Sequence, residues 1–290
     1  MGLSAELFAS GLATGAIYAL VALALALIFR ATGHINFAQG EMATASTFAG
    51  WWMMQHGAPY WLAFGATLIA SCAAGAAIGR LVAQPLAQAS PLAHIATFVG
   101  LYAVINGLDG FLFGYEPRAF ASPFGAGPFA GTALSRHQLG MIGAAAALMV
   151  GLQLFFRFTR AGLLLRASAM EPQAARLSGV RVARVQALGW GLAAAIGAGA
   201  GMLIAPATLL DPNMMLAPLL YGFAGAALGG LAQPFGAAFG GFAVGLLDAL
   251  AQGLLPDGGA LKAPLALAFI LAALFFRPAG LFGRPDAARA

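Results

Sequence analysis

Long apolar runs separated by short polar stretches follow one another along almost the whole chain. The runs lie near residues 6 to 29, 38 to 55, 60 to 83, 92 to 114, 136 to 157, 186 to 210, 216 to 231, 235 to 254 and 262 to 277. An α-helix of about 21 residues is about 31 Å long, which matches the roughly 30 Å hydrocarbon core of a bilayer. The pattern therefore predicts an all-α, polytopic membrane protein with about eight to nine transmembrane helices, forming a single domain over residues 1 to 290.

The composition agrees with this class. Hydrophobic residues make up 61% of the 290 residues and charged residues only 8%, whereas a soluble domain carries about 25% charged residues. Glycine is abundant, and Gly-x-x-x-Gly pairs recur at Gly11/Gly15, Gly75/Gly79, Gly197/Gly201, Gly225/Gly229 and Gly241/Gly245. Some of these pairs arise by chance in so glycine-rich a chain, so together they predict tight helix packing rather than one particular dimer interface.

A basic, polar island interrupts the apolar pattern at residues 160 to 186. Five of the fourteen lysines and arginines lie in it, namely Arg160, Arg166, Arg176, Arg181 and Arg184. Positive charge is retained on the cytoplasmic side of a membrane, so this segment is predicted to be a cytoplasmic loop.

Because successive spans alternate in direction, this placement determines on which side of the membrane every other loop lies. Eleven of the fourteen basic residues then fall inside, and only Arg118, Arg136 and Lys262 fall outside. The bias predicts an N-terminus outside, a cytoplasmic C-terminus and an outer loop near residues 115 to 135. Topology thus explains the isoelectric point near 10, so the expected partner is the lipid bilayer and no nucleic acid is predicted.

Two interruptions indicate helix breaks inside the membrane. Residues 33 to 41 place the side chains of His34, Asn36, Gln39 and Glu41 in an early apolar run. Residues 229 to 234, Gly-Gly-Leu-Ala-Gln-Pro, cut a stretch too long for one crossing, and the proline disfavours helical geometry before it.

Backbone freed at such breaks must be buried in protein or line water. Paired interruptions are also typical of inverted repeats around a substrate path, with broken or short helices. Candidate residues of a translocation path are therefore Asn36, Gln39, Glu41, Gly229 and Gly230. A hydrogen-bonded packing role is the alternative for Asn36 and Glu41.

Other polar groups narrow the chemistry. Asp109 and Asp248 lie within apolar runs, where local pairing or snorkelling competes with a role in a pathway. The four histidines have no metal-ligand spacing, no cofactor is predicted, and no catalytic constellation falls at a shared membrane depth. The single lysine, Lys262, is not in a phosphate-binding loop, so energy must come from a partner or from a gradient.

Five segments, taken in order, carry a family resemblance. They are GLATGAIYAL at 11 to 20, INFAQGE at 35 to 41, AARLSGV at 174 to 180, LGG and FGAAFGG between 228 and 241, and RPAGLFG at 277 to 283. Across nearly the whole chain they resemble the LivH-type permease subunits of branched-chain amino acid ABC importers. The chain departs from that pattern at Gln39, where the family often has His, and at Glu171, where it often has Asn.

The resemblance implies a pore subunit of the cell inner membrane. It also implies a second related permease, two cytosolic ABC ATPase subunits and a periplasmic substrate-binding protein as partners. The loop at 160 to 186 then becomes the docking element, and its ATPase-coupling candidates are Glu171, Pro172, Ala174, Ala175, Arg176, Leu177, Ser178 and Gly179.

The local sequence suits a short helix at this place. Glu171 can cap it, Pro172 can occupy its first position, and Gly179 can end it in a left-handed conformation. A charged turn that only anchors topology is the alternative.

The leading hypothesis is accordingly a non-enzymatic permease subunit that imports branched-chain or related small amino acids with ATP hydrolysed on its partners. The alternative is an ion-gradient-driven secondary transporter or channel for a small polar solute. The sequence leaves open whether an amino acid, urea or another amide is carried, and whether the second permease is a homologue or a second copy.

Overall fold

The computed structural model describes residues 2–86, 89–125, 127–129, 134–254 and 280–283, together with the single positions Pro264, Ala268 and Phe275. Its regular structure over these residues is helical. The helices are α1 Gly2–Thr32, α2 Gln39–Gln55, α3 Tyr60–Ile78 with a π-helical continuation Gly79–Ala83, α4 Pro91–Phe113, α5 Arg136–Phe158, α6 Arg160–Met170, α7 Pro172–Leu177, α8 Val182–Thr208, α9 Leu216–Gly229 and α10 Pro234–Leu254.

The helices confirm a polytopic, all-α membrane protein. In the described part of the chain, six helices are long and apolar enough to span a bilayer: α1, α3 with its continuation, α4, α5, α8 and α10. The other two predicted runs that are described form shorter helices, since α2 has 17 residues and α9 has 14. The run at 262 to 277 lies outside the described residues, apart from the three single positions.

Two helices form the buried centre, and three lie at the periphery. Helices α1 and α8 are almost wholly covered by their neighbours, whereas α3, α4 and α5 leave much of their surface open. Their exposed side chains are large and apolar, as at Ile69, Phe111 and Phe158. Such a surface is suited to lipid rather than to water.

Glycines allow α1 and α10 to touch backbone to backbone. Gly15 lies against the backbone of Phe242, and a Cβ atom at Gly241 would lie only 2.5 Å from Cα of Ala19. Gly11 faces Leu246 and Ala249 in the same seam. The predicted tight packing is therefore present, and two of the Gly-x-x-x-Gly pairs face each other across one helix contact.

Both predicted interruptions are breaks between helices. The first separates α1 from α2, with Gly33 at a φ of 77°, and the second separates α9 from α10, with Gly230 at a φ of 107°. At the second break the N–H groups of Leu281 and Phe282 donate to the carbonyls of Leu228 and Gly229, at 2.8 and 3.2 Å. The freed backbone there is thus satisfied by protein.

Candidate functional site

The polar residues of the first break tie it to its surroundings. The side-chain oxygen of Asn36 accepts a hydrogen bond from the N–H of Ala38 at 3.0 Å, directly before α2 begins. The Gln39 amide donates to the carbonyl of Ala193 on α8 at 3.0 Å. Both residues are fully buried. Their geometry fixes the start of α2 against α8.

Glu41 belongs to a second group of contacts, the polar cluster, which comprises Glu41, Asn106, Asn213 and Tyr115. The Asn106 amide donates to the Glu41 carboxylate at 3.2 Å and lies 3.1 Å from Oδ1 of Asn213. The Tyr115 hydroxyl donates back to Oδ1 of Asn106 at 3.4 Å. The cluster joins α2, α4 and the segment between α8 and α9.

Two aromatic rings show that α2 and α4 run side by side in the same direction. Two turns beyond Glu41 and Asn106, the rings of Phe48 and Phe113 stack with their centroids 4.5 Å apart. The helices therefore keep one register from the cluster to the end of α4. The cluster is held between two rigid elements rather than on loops alone.

A mainly apolar cavity of about 380 Å³ opens beside the cluster, between α2, α3 and α4. Met42, Ile105 and Leu108 contribute apolar wall, and Ser71 donates to Ser46 across it at 2.7 Å. Asp109 also lines this cavity; it is buried, and its Oδ2 has no hydrogen-bond partner within the described residues. An apolar cavity with one such carboxylate suits a small molecule that has an aliphatic part and a cationic group.

The sequence did not single out Asn106, which connects the cluster. The sequence signal for Asn106 was its single amide side chain within an apolar run. A polar side chain is unusual in a membrane segment and can therefore mark a site. Tyr115 and Asn213 lie in polar stretches outside the spans, where nothing in the sequence distinguishes them.

The other intramembrane candidates lie elsewhere. Tyr18 on α1 donates to the Asp248 carboxylate on α10 at 3.4 Å, which is local pairing inside the α1–α10 contact. Gly229 and Gly230 are buried at the second break, and the backbone of Gly236 fills the space beside Gly229.

The basic, polar island at residues 160 to 186 folds as two helices, α6 and α7, followed by the start of α8. Glu171 occupies the N-cap position of α7 and Pro172 its first position, as predicted, but the Glu171 side chain does not cap the helix. At the other end the N–H of Val180 donates to Ala175 and that of Gly179 to Arg176, both at 3.0 Å. With Gly179 at a φ of 82°, this is a Schellman ending.

The two faces of α7 differ sharply. Ala175 is buried, so its side chain packs within this chain, whereas Leu177 is 91% exposed. Ala174, Arg176 and Ser178 are also exposed. Leu177 therefore presents an apolar side chain that takes no part in the packing within this chain.

No metal site accompanies these features in the part of the chain that the structure describes. A group of three or more His, Cys, Asp or Glu side chains that could hold an ion is absent there.

Comparison with solved structures gives the fold. The chain superimposes on PsaBC from Streptococcus pneumoniae, solved in complex with Fab, with a TM-score of 0.51 and 14% identity. The alignment covers 93% of this chain and 91% of that chain.

Comparison of sequences gives the family. BraD, a high-affinity branched-chain amino acid transport system permease protein of Pseudomonas aeruginosa, is 26% identical over 96% of this chain and 95% of its own. LivH proteins of the same description from Salmonella typhimurium and Escherichia coli are each 27% identical over 96% of this chain and 94% of theirs. Residues 7–276 match the family described as branched-chain amino acid transport system / permease component. The chain therefore belongs to this family of membrane transport permeases, which are transport components rather than enzymes.

Proposed function

We propose that this chain is the permease subunit of an ATP-driven importer for branched-chain or related small amino acids in the cell inner membrane. The observation that carries the proposal is the family match over residues 7–276, which extends through nearly all the described helices. Full-length similarity to permeases named for branched-chain amino acid transport supports the substrate class.

The translocation path in this proposal runs along α2 and α4. The apolar cavity beside these helices accepts the aliphatic side chain of the substrate, and Asp109, which lines it, offers a carboxylate to the ammonium group. Glu41 is next to the lining residue Met42 and contributes through its contact with Asn106. Asn36 and Gln39 contribute by holding the start of α2 in place. Gly229 and Gly230 contribute by fixing the second break, where α10 begins.

The docking element in this proposal is α7. Ala174, Leu177 and Ser178 form the exposed face that enters a groove on an ATPase, with Arg176 at its rim. Glu171, Pro172 and Gly179 set the ends of the helix, and Ala175 supports it from within. The complete transporter contains two cytosolic ABC ATPase subunits, a second related permease and a periplasmic substrate-binding protein.

The orientation follows from the charge distribution. With residues 160 to 186 in the cytosol, the N-terminus lies outside and the C-terminus is cytoplasmic.

Reconstituted uptake tests the function and its path together. Proteoliposomes that contain the chain with its ATPases and second permease, supplied with the binding protein, are expected to take up radiolabelled leucine only when ATP is present. Asp109→Asn is expected to lower uptake about tenfold or more, because the ammonium group loses a charged partner. Glu116→Gln, which removes an exposed carboxylate outside the cluster, is the matched control and should leave uptake unchanged.

Uptake that continues without ATP and collapses with an ionophore would replace the proposal with a gradient-driven transporter. ATP-dependent uptake that is unaffected by Asp109→Asn would keep the function and discard this path.

A further inference from the structure

A basic cavity lies where the ends of three membrane helices meet α6. Its volume is about 440 Å³, which is within the range of roughly 300 to 1,000 Å³ typical of small-molecule sites. The described residues that line it are Arg30 of α1, Gln153, Phe156 and Arg157 of α5, Arg166 of α6, and Pro234 and Phe235 of α10. This lining contains three arginines and no carboxylate among the described residues.

The three guanidinium groups face one cavity without a counter-charge. Within the described part of the chain, none of these side chains forms a hydrogen bond or an ion pair. Arg30 is half-buried, and it lines a second, smaller crevice together with Arg166, so these two charges are neighbours. A guanidinium is always charged, and like charges around one cavity repel each other. An anion in the cavity would offset this repulsion.

The cavity lies at the depth of lipid headgroups. Arg30 is two residues before the end of the span Glu6–Thr32, and Arg157 is one residue before the end of the span Arg136–Phe158. Pro234 is the first residue of the span Pro234–Gly253. Spans that end together mark the boundary between the hydrocarbon core and water. Basic pockets between membrane helices at this depth recognise the phosphate groups of lipids.

Exposed apolar side chains lead away from the cavity along two of its helices. On α5, Val150 and Leu154 are 56% and 49% exposed, and they share a helix face with the lining residue Arg157. On α10, Phe239 is 56% exposed and follows the lining residue Phe235 by about one turn. Acyl chains can pack on these surfaces, whereas a free phosphate ion has no use for them.

We propose that this cavity binds the phosphate group of an anionic phospholipid, with Arg30, Arg157 and Arg166 as donors and the acyl chains along α5 and α10. Guanidinium groups pair with phosphate oxygens through two parallel N–H···O bonds. A lipid with net negative charge is selected, because the cationic group of a zwitterionic headgroup is repelled by the same arginines. The bound lipid would connect α6 to the end of α1 and the start of α10.

Native mass spectrometry of lipid binding tests this site. The full-length chain, together with any subunits that copurify with it, is delipidated in detergent and titrated with dioleoylphosphatidylglycerol or dioleoylphosphatidylcholine. The two lipids have identical acyl chains and differ in the charge of the headgroup. Saturable binding of phosphatidylglycerol is expected, at least tenfold tighter than that of phosphatidylcholine.

Matched variants assign the binding to this cavity. Arg30→Gln and Arg166→Gln should each weaken phosphatidylglycerol binding about fivefold, because each removes one charge beside the phosphate. Arg136→Gln removes the same charge from an exposed position at the opposite end of α5, and it should leave the affinity unchanged. Arg166 is exposed, so its substitution remains informative even where the half-buried Arg30 is needed for folding.

A competitor without acyl chains separates a lipid from a soluble anion. Glycerol 3-phosphate at a concentration equal to that of the lipid should not displace phosphatidylglycerol, because it cannot use the apolar surfaces of α5 and α10. Displacement at equal concentration would overturn the lipid assignment. Equal affinity for the two lipids, or variants at positions 30 and 166 that both bind as Arg136→Gln does, would also overturn it. Binding is measured without ATP or transported substrate, so these outcomes are independent of the function proposed above.

Discussion

At the scale of single residues, Asn106 shows how a buried charge is accommodated. One amide serves the Glu41 carboxylate, the carbonyl of Pro212 and the side chain of Asn213, all at 3.1 to 3.2 Å. An amide nitrogen has only two N–H groups, so these acceptors share them. The Glu41 carboxylate is thus held by the neutral amide of Asn106. The carboxylate can exchange this amide for another partner.

A double-mutant cycle measures this coupling. Asn106→Leu is expected to lower the stability of the solubilised protein by about 2 kcal/mol, because it leaves the Glu41 carboxylate buried without its donor. Glu41→Gln in the same chain should recover part of that loss, since a neutral amide is less costly to bury. Thermal unfolding of the native chain, both single variants and the double variant provides the test. Strictly additive effects would show that the two side chains are not coupled.

The glycines of the α1–α10 seam allow a matched comparison of stability. Gly241→Ala would place a Cβ 2.5 Å from backbone atoms of Ala19, so the helices must separate and a loss of about 1 to 3 kcal/mol is expected. Gly143→Ala on α5 meets open space and should be neutral or stabilising by up to about 1 kcal/mol, from helix propensity alone. Melting of the two variants in one detergent compares them. Equal effects would mean that the seam does not depend on glycine.

At the scale of elements, α7 is a helix of six residues. Its two ends are determined by the residues next to them in the sequence, and its two faces have different roles. So short a helix is marginal in water without support from packing. Here the buried Ala175 provides the support, and Leu177 provides the open face.

Substitutions on the two faces of α7 should impair different properties, namely ATPase binding and the stability of the permease. Leu177→Asp is expected to reduce the ATPase recovered with the tagged permease at least tenfold without changing the melting temperature of the permease alone. Ala175→Arg should lower that melting temperature, because a long charged side chain cannot fit the buried position. Normal ATPase recovery and normal uptake in Leu177→Asp would exclude α7 as the docking element.

The helix ending makes a further prediction at position 179. Gly179→Val should destabilise the loop by about 1 to 2 kcal/mol, because a β-branched residue is strained at a φ of 82°. Gly179→Asn should be tolerated better, since asparagine visits this region more readily. Limited proteolysis of the loop in membranes measures the difference. Identical cleavage rates for the two variants would indicate that the left-handed ending is not important.

At the scale of the whole molecule, the sequence predicted the helices more completely than the contacts between them. Helix ends agree with the predicted runs within a few residues for the described spans, because apolar length, Gly and Pro determine them locally. The stack of His34 on His94 and the contact of Glu41 with Asn106 depend instead on how distant helices dock. Nothing near any of these residues in the sequence encodes that docking.

Surface labelling of single cysteines tests the orientation of the whole chain. In a Cys72→Ser background, which removes the only native cysteine, a cysteine at Gly57 or Glu116 should react with a membrane-impermeant thiol reagent in spheroplasts. A cysteine at Gln173 should react only after the membrane is opened. Both positions 57 and 173 are exposed, so the contrast reports on side rather than burial. The reverse pattern would invert the topology.

The glycine seam between α1 and α10 also limits how this protein can change shape. Where Gly15 and Gly241 bring the backbones of these two helices into direct contact, the helices cannot slide or roll without a clash. The two helices should therefore move together as one rigid pair. Any inward and outward opening must then be hinged at the breaks next to this rigid pair, residues 33 to 38 and 230 to 233. A crosslink between α1 and α10 within the seam should therefore leave transport unchanged. A crosslink across either break should stop transport.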